Sequence, residues 1–301
     1  MTLRSDACRV RRIRETALPE ECILRKVENR TINNMTEAKQ YGDVAAIYDT
    51  LMEDVPHPAW LARIEREAIK RGKNLDSASA LDIACGTGIV TELLWWRGYR
   101  PLYAFDISPA MVAIAETKAF SWGKRDINGE GRPHFSVQDA AELDMNGMTF
   151  DLLISLFDSI NYILDPARLK QAFHRLYAHT TPGGLLAFDM NSRYALAEGL
   201  FTQSNWVGPL WHDWRSSYDA ATEICRIEMD FWIDDETTKS TRHFKELHIQ
   251  RAYDARDILQ WLTEAGFVRP AVFGNYGERA PNAKSDRLLF FAEKESLPTP
   301  F

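Results

Sequence analysis

Residues 80–88 read ALDIACGTG, and a helical pattern of apolar residues begins directly after them. A strand that ends in small residues and glycines lets the backbone come close to a ligand at the N-terminus of the next helix. The spacing is not the G-x-G-x-x-G of dinucleotide-binding proteins. Asp106 ends the next predicted strand, twenty residues after Gly86, where a carboxylate can accept hydrogen bonds from both hydroxyls of a ribose.

The residues that follow predict an α/β fold. From Leu75 onward, apolar strands alternate with amphipathic helical patterns, which is typical of a doubly wound, mostly parallel sheet with helices on both faces. We expect seven strands in this sheet, at residues 80–84, 102–106, 134–138, 151–157, 185–190, 268–273 and 287–293. Helices are predicted at residues 89–97, 109–119, 167–179 and 254–265.

The pattern changes after Met190. Residues 206–214, 223–233 and 241–253 alternate polar with apolar side chains, as in an antiparallel sheet, and the turn-rich residues 234–237 join the last two. We therefore expect an inserted antiparallel β lid over about residues 201–253. Its aromatic residues suit a lid over a small organic ligand, and they suit a homodimer interface equally well. These residues are Phe201, Trp206, Trp211, Trp214, Tyr218, Phe231 and Trp232.

The domain boundaries follow from composition. Residues 1–34 carry eight basic and five acidic side chains, a net charge of +3, and lack the apolar region of a secretory signal. We interpret them as a disordered leader, or as the result of a start codon upstream of Met35; an arginine-rich targeting peptide is disfavoured by the five acids. The expected domain covers residues 35–294, and residues 295–301 form a tail.

Charge and cysteine content limit the partners. The chain has 36 Lys and Arg against 43 Asp and Glu, a formal net charge of -7, which disfavours a nucleic-acid partner. Since no apolar run approaches the roughly 18 residues that cross a bilayer, we expect no membrane partner. The four cysteines form no close pair and no zinc-ligand spacing, as expected in a reducing compartment, so we expect a cytoplasmic protein.

The order of these motifs resembles class I S-adenosylmethionine-dependent methyltransferases over about residues 41–294. The resemblance implies S-adenosylmethionine as cofactor, with Asp106 on its ribose and with Ile107 and Met111 beside the adenine. Asp139 and Ala140, in the segment Gln-Asp-Ala at 138–140, would read the adenine edge. The loop beneath the methionine part would include Asp82, Ala84, Cys85, Gly86 and Gly88. An NAD-binding Rossmann domain, with Asp106 on the ribose, is the alternative.

Two further parts of the cofactor site have weaker signals. Residues 41–49 read YGDVAAIYD and resemble the family's helix that folds over the sulfonium end of the cofactor. Tyr41 and Tyr48 thus become candidate cofactor contacts, with a packed helix of two core tyrosines as the alternative. We interpret Cys85 as a packing residue in the loop, because no histidine or basic residue adjoins it.

The acceptor site is predicted beyond the fourth strand, where residues 155–162 read SLFDSINY. In the family this loop borders both the sulfonium and the acceptor, which makes Leu156 a cofactor contact and makes Asp158, Asn161 and Tyr162 acceptor contacts. Capping of the turn is the alternative role for Asp158 and Asn161. His248, with Arg251 nearby, is a candidate base or anion clamp, and a structural histidine is the alternative.

We therefore expect methyl transfer from S-adenosylmethionine to a small-molecule acceptor, an amine nitrogen. The insertion resembles those of glycine and sugar-amine N-methyltransferases. The sequence has no N-P-P-Y loop and no metal-ligand set typical of catechol O-methyltransferases. A neutral amine needs only a modest proton acceptor, so the absence of an obvious catalytic base is no objection. The alternatives are a methyltransferase acting on RNA or protein, and a cofactor-binding regulatory protein without catalysis.

Overall fold

The computed structural model describes residues 41–122, 131–235 and 237–297. The predicted leader at residues 1–34 lies outside these residues, as do residues 298–301 of the predicted tail. None of the described helices is long and apolar enough to cross a membrane.

The described residues form two sheets. Their strands are β1 (Ala80–Ile83), β2 (Leu102–Asp106), β3 (His134–Val137), β4 (Phe150–Ser155), β5 (Thr180–Asn191), β6 (Gln203–Val207), β7 (Leu210–Asp219), β8 (Ile224–Asp235), β9 (Ser240–Arg251), β10 (Val268–Gly274) and β11 (Arg287–Glu293). The helices are α1 (Tyr48–Leu51), α2 (His57–Lys70), α3 (Ile89–Trp96), α4 (Pro109–Trp122), α5 (Pro166–Ala178), α6 (Arg193–Ala197) and α7 (Ala255–Glu264).

The larger sheet confirms the predicted fold class. Its seven described strands are ordered β3-β2-β1-β4-β5-β11-β10, and only β11 runs against its neighbours. The chain leaves β1 in one direction, through β2 and β3, and then returns to β4 on the other side of β1. Ligands of open α/β sheets bind at this reversal, beyond the carboxyl ends of the strands. In the register there, Asp82 of β1 lies between Ala104 of β2 and Ile154 of β4.

Alternating side chains place an apolar layer on each face of this sheet. In β5, Leu186 and Phe188 join the layer beneath α5 and α7, while Leu185 and Ala187 join the layer beneath α2, α3 and α4. A strand buried on both faces reads as a continuous apolar run, as residues 185–190 do. The two layers make the core a sandwich of helix, sheet and helix.

Strand β5 starts five residues earlier than predicted. Residues 180–184 read TTPGG, which are turn residues by composition. The pairing of β4 with β5 shifts register between Phe150 and Leu152, so a bulge accommodates Pro182 and the two glycines without ending the strand.

The smaller sheet is the predicted lid, with the antiparallel order β6-β7-β8-β9. The single strand expected at residues 206–214 is wrong, because the chain reverses at Gly208 and Pro209 to form β6 and β7. Gly208 has φ +57°, and Pro209 has no N–H for the ladder, so both residues favour a turn. The inner face of the lid carries an apolar cluster that includes Ile227, Met229 and Phe231.

Replacing a core residue tests the layered arrangement. Ile154 of β4 is 0% exposed, so Ile154→Ala should lower the free energy of unfolding by about 2–5 kcal/mol through lost burial and a cavity. Ile69→Ala is the matched control, because Ile69 is 63% exposed and its truncation should cost less than about 0.5 kcal/mol. Denaturant titration of both variants measures the difference, and equal losses would contradict the assignment of Ile154 to the core.

Candidate functional site

The glycine loop after β1 has the backbone that close ligand approach requires. Ala84, Gly86 and Gly88 have φ values of +53°, +55° and +82°. A Cβ on Gly88 would lie 3.2 Å from Cβ of Ala115 in α4, so only glycine fits there without displacing that helix. The predicted loop residues therefore lie together at the carboxyl edge of the sheet, with the tight backbone that fits the predicted cofactor.

Asp106, at the end of β2, braces this loop. Its Oδ2 accepts a hydrogen bond from the backbone N–H of Gly86 at 2.9 Å, and its Oδ1 accepts one from the N–H of Ser108 at 2.8 Å. Burial raises the pKa of Asp106, although these bonds oppose the shift. The carboxyl group lies at the predicted edge, beside the loop that would carry the methionine part of the cofactor.

Asp82 lies beneath the same loop. The Thr91 hydroxyl of α3 donates to its Oδ2 at 2.5 Å, which ties strand to helix. Burial raises the pKa of Asp82 to about 7. The neighbouring Cys85 thiol also has a raised pKa because it is buried, as a packing residue would.

The residues predicted beside the adenine differ in exposure. Ile107 is 65% exposed at the edge, whereas Met111 of α4 is buried. Asp139 accepts from the N–H of Ala141 at 2.8 Å and pairs with Arg168 at 2.8 Å, a partner that the sequence did not indicate. Its roles as cap and ion-pair partner leave acceptor capacity on both oxygens. Ala140 begins the turn that this cap stabilises, and Leu156 is buried at the end of β4.

Residues 41–52, called the cover segment below, lie over the glycine loop. The predicted helix is instead a 3-10 turn, Val44–Ile47, followed by α1. Asp49 accepts hydrogen bonds from the Thr87 hydroxyl and, at 2.6 Å, from Nζ of Lys118. The Ser108 hydroxyl donates to the carbonyl oxygen of Tyr41 at 3.1 Å. These contacts fasten the cover segment to the loop and to α4.

A buried polar stripe faces the cover segment from the lid. Glu246, His248 and Gln250 alternate along β9 and point inward, and Glu246 and His248 are each 2% exposed. His248 Nε2 lies 2.9 Å from Oε2 of Glu246, and its Nδ1 lies 2.9 Å from the hydroxyl of Tyr162. Because a carboxylate only accepts, Nε2 carries the proton and Nδ1 accepts from Tyr162.

The Tyr162 hydroxyl keeps its proton and donates it to His248 in this hydrogen-bonded series. Burial, and next the charge of Asp158, raise the pKa of Tyr162 well above its ordinary value. The structure thus brings together His248 and Tyr162, both predicted, and adds Glu246, which sequence reasoning missed. The alternation Glu-x-His-x-Gln at 246–250 within a predicted strand was the available signal, since it places all three on one face.

Asp158 lies in a strained loop directly after β4. Phe157 and Asp158 have φ values of +66° and +52°, which non-glycine residues rarely adopt. The carboxylate of Asp189 in β5 accepts from both backbone N–H groups, at 2.6 Å from Phe157 and 3.3 Å from Asp158. The side chain of Asp158 makes no capping bond to the turn, so the capping alternative finds no support for that residue.

Arg287 of β11 joins the two acids. Its Nη2 lies 2.7 Å from Oδ1 of Asp158, and its Nη1 pairs with Oδ2 of Asp189. Burial alone would lower the pKa of Arg287, but the two carboxylates raise it above its ordinary value. Gln250 donates to the other oxygen of Asp158 at 2.6 Å, so the loop is bound to the lid as well.

Both polar groups of Asn161 are bonded to the surrounding backbone, and the residue is 0% exposed. Its Nδ2 donates to the carbonyl oxygens of Asn191 and Arg251, and its Oδ1 accepts from the N–H of Asn191. Asn161 therefore fixes the loop, and it is not part of the wall of the cavity that lies beneath the lid. Arg251 does not accompany His248, because its guanidinium donates to the carbonyl oxygen of Leu164 at 3.1 Å.

A cavity of about 70 Å³ lies among these groups, beneath the lid. Apolar and aromatic side chains form most of its wall, including Phe201 and Trp214 of the aromatic insertion. Trp206, by contrast, is 52% exposed and packs with Trp211. The polar part of the cavity wall consists of Asp158, His248, Gln250 and Arg287, together with Tyr41, Tyr48 and Tyr162. Only part of the aromatic insertion therefore encloses the cavity.

Comparisons with known proteins agree with this geometry. A family model described as a methyltransferase domain matches residues 80–184. A protein from Geobacillus sp. strain WCH70, named as a methyltransferase, is 30% identical over 259 residues, 84% of this chain and 99% of its own length. The crystal structure of an S-adenosylmethionine-dependent methyltransferase from Clostridium acetobutylicum is 27% identical, with a TM-score of 0.71 over 85% of this chain and 99% of that one.

A sugar N-methyltransferase from a Streptoalloteichus species has the same fold. It is 23% identical, with a TM-score of 0.71 over 89% of this chain and 99% of that one. Together with the loop and sheet described above, these matches show that the chain belongs to the class I S-adenosylmethionine-dependent methyltransferases. It is an enzyme whose cofactor is S-adenosylmethionine, and the NAD-binding alternative is wrong.

The buried carboxyl of Asp82 predicts a pH dependence of stability. An unfolded aspartate loses its proton near pH 4, whereas folded Asp82 keeps it up to about pH 7. The stability that this raised pKa contributes is complete below about pH 4 and is lost as the pH rises to about 7. Asp82→Asn should therefore gain melting temperature relative to the native chain over that range. Thermal denaturation at several pH values, with exposed Asp76→Asn as control, measures it; a constant difference would contradict the assignment.

Proposed function

We propose that this enzyme methylates the nitrogen of a small-molecule amine. The observation that carries the proposal is the buried hydrogen-bonded chain from Tyr162 through His248 to Glu246, which ends at an apolar cavity beneath the lid. Such a chain supplies a proton acceptor of modest strength, and an amine needs no stronger one.

The predicted cofactor contacts form the other half of the proposed site. Asp106 would bind the ribose hydroxyls, and the loop from Asp82 through Ala84, Cys85 and Gly86 to Gly88 would lie against the methionine part. The adenine would be held by Ile107, Met111, Asp139 and Ala140, and the sulfonium end by Tyr41, Tyr48 and Leu156. When bound, S-adenosylmethionine supplies a methyl carbon that a nitrogen lone pair can attack. The support is that these residues share one edge of the sheet, around a tight glycine loop.

The charges around the cavity favour a cationic guest. Among the described residues in and directly behind the cavity wall, three carboxylates face one guanidinium. The carboxylates are those of Asp158, Asp189 and Glu246, and the guanidinium is that of Arg287. Arg287 is already paired with two of these acids, and its guanidinium also packs 4.8 Å from the ring centre of Phe157. An ammonium group entering beside Asp158 and Tyr162 gains from this charge, whereas a phosphate or carboxylate is disfavoured.

The proton then has a defined route. A proton of the entering ammonium group moves to the Tyr162 oxygen while the Tyr162 proton moves to Nδ1 of His248. The products are a neutral amine and an imidazolium. Glu246, at 2.9 Å from Nε2, stabilises that positive charge. Asp158 contributes negative charge and holds the loop through Arg287 and Gln250. Tyr162, His248 and Asp158 all line the cavity.

The size of the cavity supports a small acceptor over RNA or protein. At about 70 Å³ it admits a small group, and its walls come from the lid, the cover segment, the loop at residues 155–162 and Arg287, all of this one chain. The solved relative named as a sugar N-methyltransferase, which shares this fold, is a further argument for nitrogen.

A substrate screen tests the choice of nitrogen. The full chain is incubated with methyl-labelled S-adenosylmethionine and sets of small amines, alcohols, phenols and carboxylates. We expect labelled product from amines, identified by mass, because the chain supplies only a modest base. Turnover of an oxygen acceptor in preference to every amine would overturn the proposal while leaving the cofactor assignment intact.

Removing one hydroxyl tests the proton route. Tyr162→Phe should lower kcat at least about 100-fold, because the link between the amine and His248 is lost. Affinity for S-adenosylmethionine should change less than about threefold, since the ring and its contacts remain. Tyr99→Phe is the matched control: it removes a partly buried hydroxyl that bonds Glu65 far from the lid. Unchanged kcat in Tyr162→Phe would exclude the route.

A further inference from the structure

We propose that Glu246 is a positioning residue that latches the cover segment and couples its closure to the proton acceptor. The coupling to the proton acceptor rests on the proposed function, whereas the latch stands on its own contacts. One carboxylate binds two parts of the site that the sequence separates by about 200 residues.

Three donors converge on this carboxylate. Its Oε2 accepts from the backbone N–H of Tyr41 at 2.8 Å, and its Oε1 accepts from the N–H of Val44 at 2.9 Å. The third donor is Nε2 of His248, at 2.9 Å from Oε2. The two backbone donors lie in the cover segment and the third is the imidazole of the proton route. Glu246 is 2% exposed, so these donors replace water that it would otherwise bind.

Opening of the cover segment would remove hydrogen bonds from Glu246. When the cover segment leaves, the carboxylate loses two of its three donors. The Glu246 side chain is then held by the imidazole alone and can rotate away from it, so that nothing fixes the proton on Nε2 of His248. An imidazole with its proton on Nδ1 cannot accept from Tyr162. Closure of the segment therefore holds His248 in the tautomer that receives the acceptor's proton.

The ring of Tyr41 adds a second link between segment and imidazole. It lies edge-on to His248 with 4.7 Å between ring centres, and 5.5 Å from the ring of Tyr162. Tyr41 also has φ +58°, a conformation that needs support from its surroundings. Its N–H is held by Glu246 and its carbonyl by Ser108, so the strained residue is bonded on both sides. The cover segment thus contacts the base directly as well as through the latch.

The latch implies a working order for the enzyme. The cover segment lies over the glycine loop, so cofactor entry and release require it to open, while proton transfer requires it to be closed. The acceptor is then deprotonated only when the cofactor is enclosed.

Glu246→Gln tests the latch in the full chain. The glutamine amide has one accepting oxygen, so its NH2 group faces at least one backbone N–H. We expect hydrogen exchange at the Tyr41 and Val44 amides, without ligand, to accelerate about tenfold or more. Release of S-adenosylhomocysteine, followed by stopped flow, should accelerate by a similar factor. Glu228→Gln, on the exposed face of the same sheet, is the control and should stay within about twofold.

A variant at the other end of the cover segment tests the coupling. Asp49→Asn weakens the bonds to Thr87 and Lys118 without touching the lid. It should accelerate release and, with saturating S-adenosylmethionine, also shift the pH profile of turnover. Faster release with an unchanged profile would overturn the coupling and leave the latch.

The outcomes separate this inference from the proposed function. Unchanged amide exchange and unchanged release in folded Glu246→Gln would overturn the latch. If that variant fails to fold, Asp49→Asn decides, and unchanged release and pH profile there would overturn the inference. Faster exchange and release in Glu246→Gln, together with no turnover of any amine by the native chain, would confirm the latch and reject the proposed acceptor.

Discussion

The ion pair between Asp189 and Arg287 joins the middle of the parallel sheet to its antiparallel strand, and the acceptor side of the site is built on it. Asp189 holds both strained amides of the loop at Phe157 and Asp158. Arg287 then orients Asp158, and Asp158 binds Gln250 of the lid. A buried acid in the centre of an apolar strand is costly unless it is fully paired, and here each oxygen has partners. The lid is thereby fixed to the core by polar contacts as well as by its apolar face.

The parallel core could be predicted from the sequence because its signals are local. The run of apolar residues at 185–190 and the glycines at 86 and 88 report strand, turn and helix within a few positions. The ends of the elements agreed within a few residues, except where tertiary pairing overrides composition, as at 180–184. The turn at Gly208 and Pro209 was missed because its two flanking strands share one unbroken alternation.

The candidate site was predictable only in part, for a physical reason. Tyr162 and His248 stood out by residue type and position, and the structure places them in hydrogen-bonding contact. Glu246 and Arg287 did not, because their roles come from partners more than 100 residues away, 205 positions for the Tyr41 amide and 129 for Asp158. The periodicity of a single strand gives no information about contacts with residues so distant in the sequence. An acid or base at an inward position of a strand is the signal that remains.

The close packing of Gly88 against Ala115 has a consequence for how this enzyme can vary. The backbone of the glycine loop lies against α4 because neither position carries a larger side chain. Drift at residue 115 toward any bulkier side chain would push the helix away and widen the loop, so the two positions are bound to change together or not at all. The lid reaches the glycine loop through the cover segment, which Glu246 binds at Tyr41 and Val44. Substitutions at lid residues that line the cavity, such as Trp214 and Met229, can therefore change the acceptor pocket without altering the packing of the glycine loop.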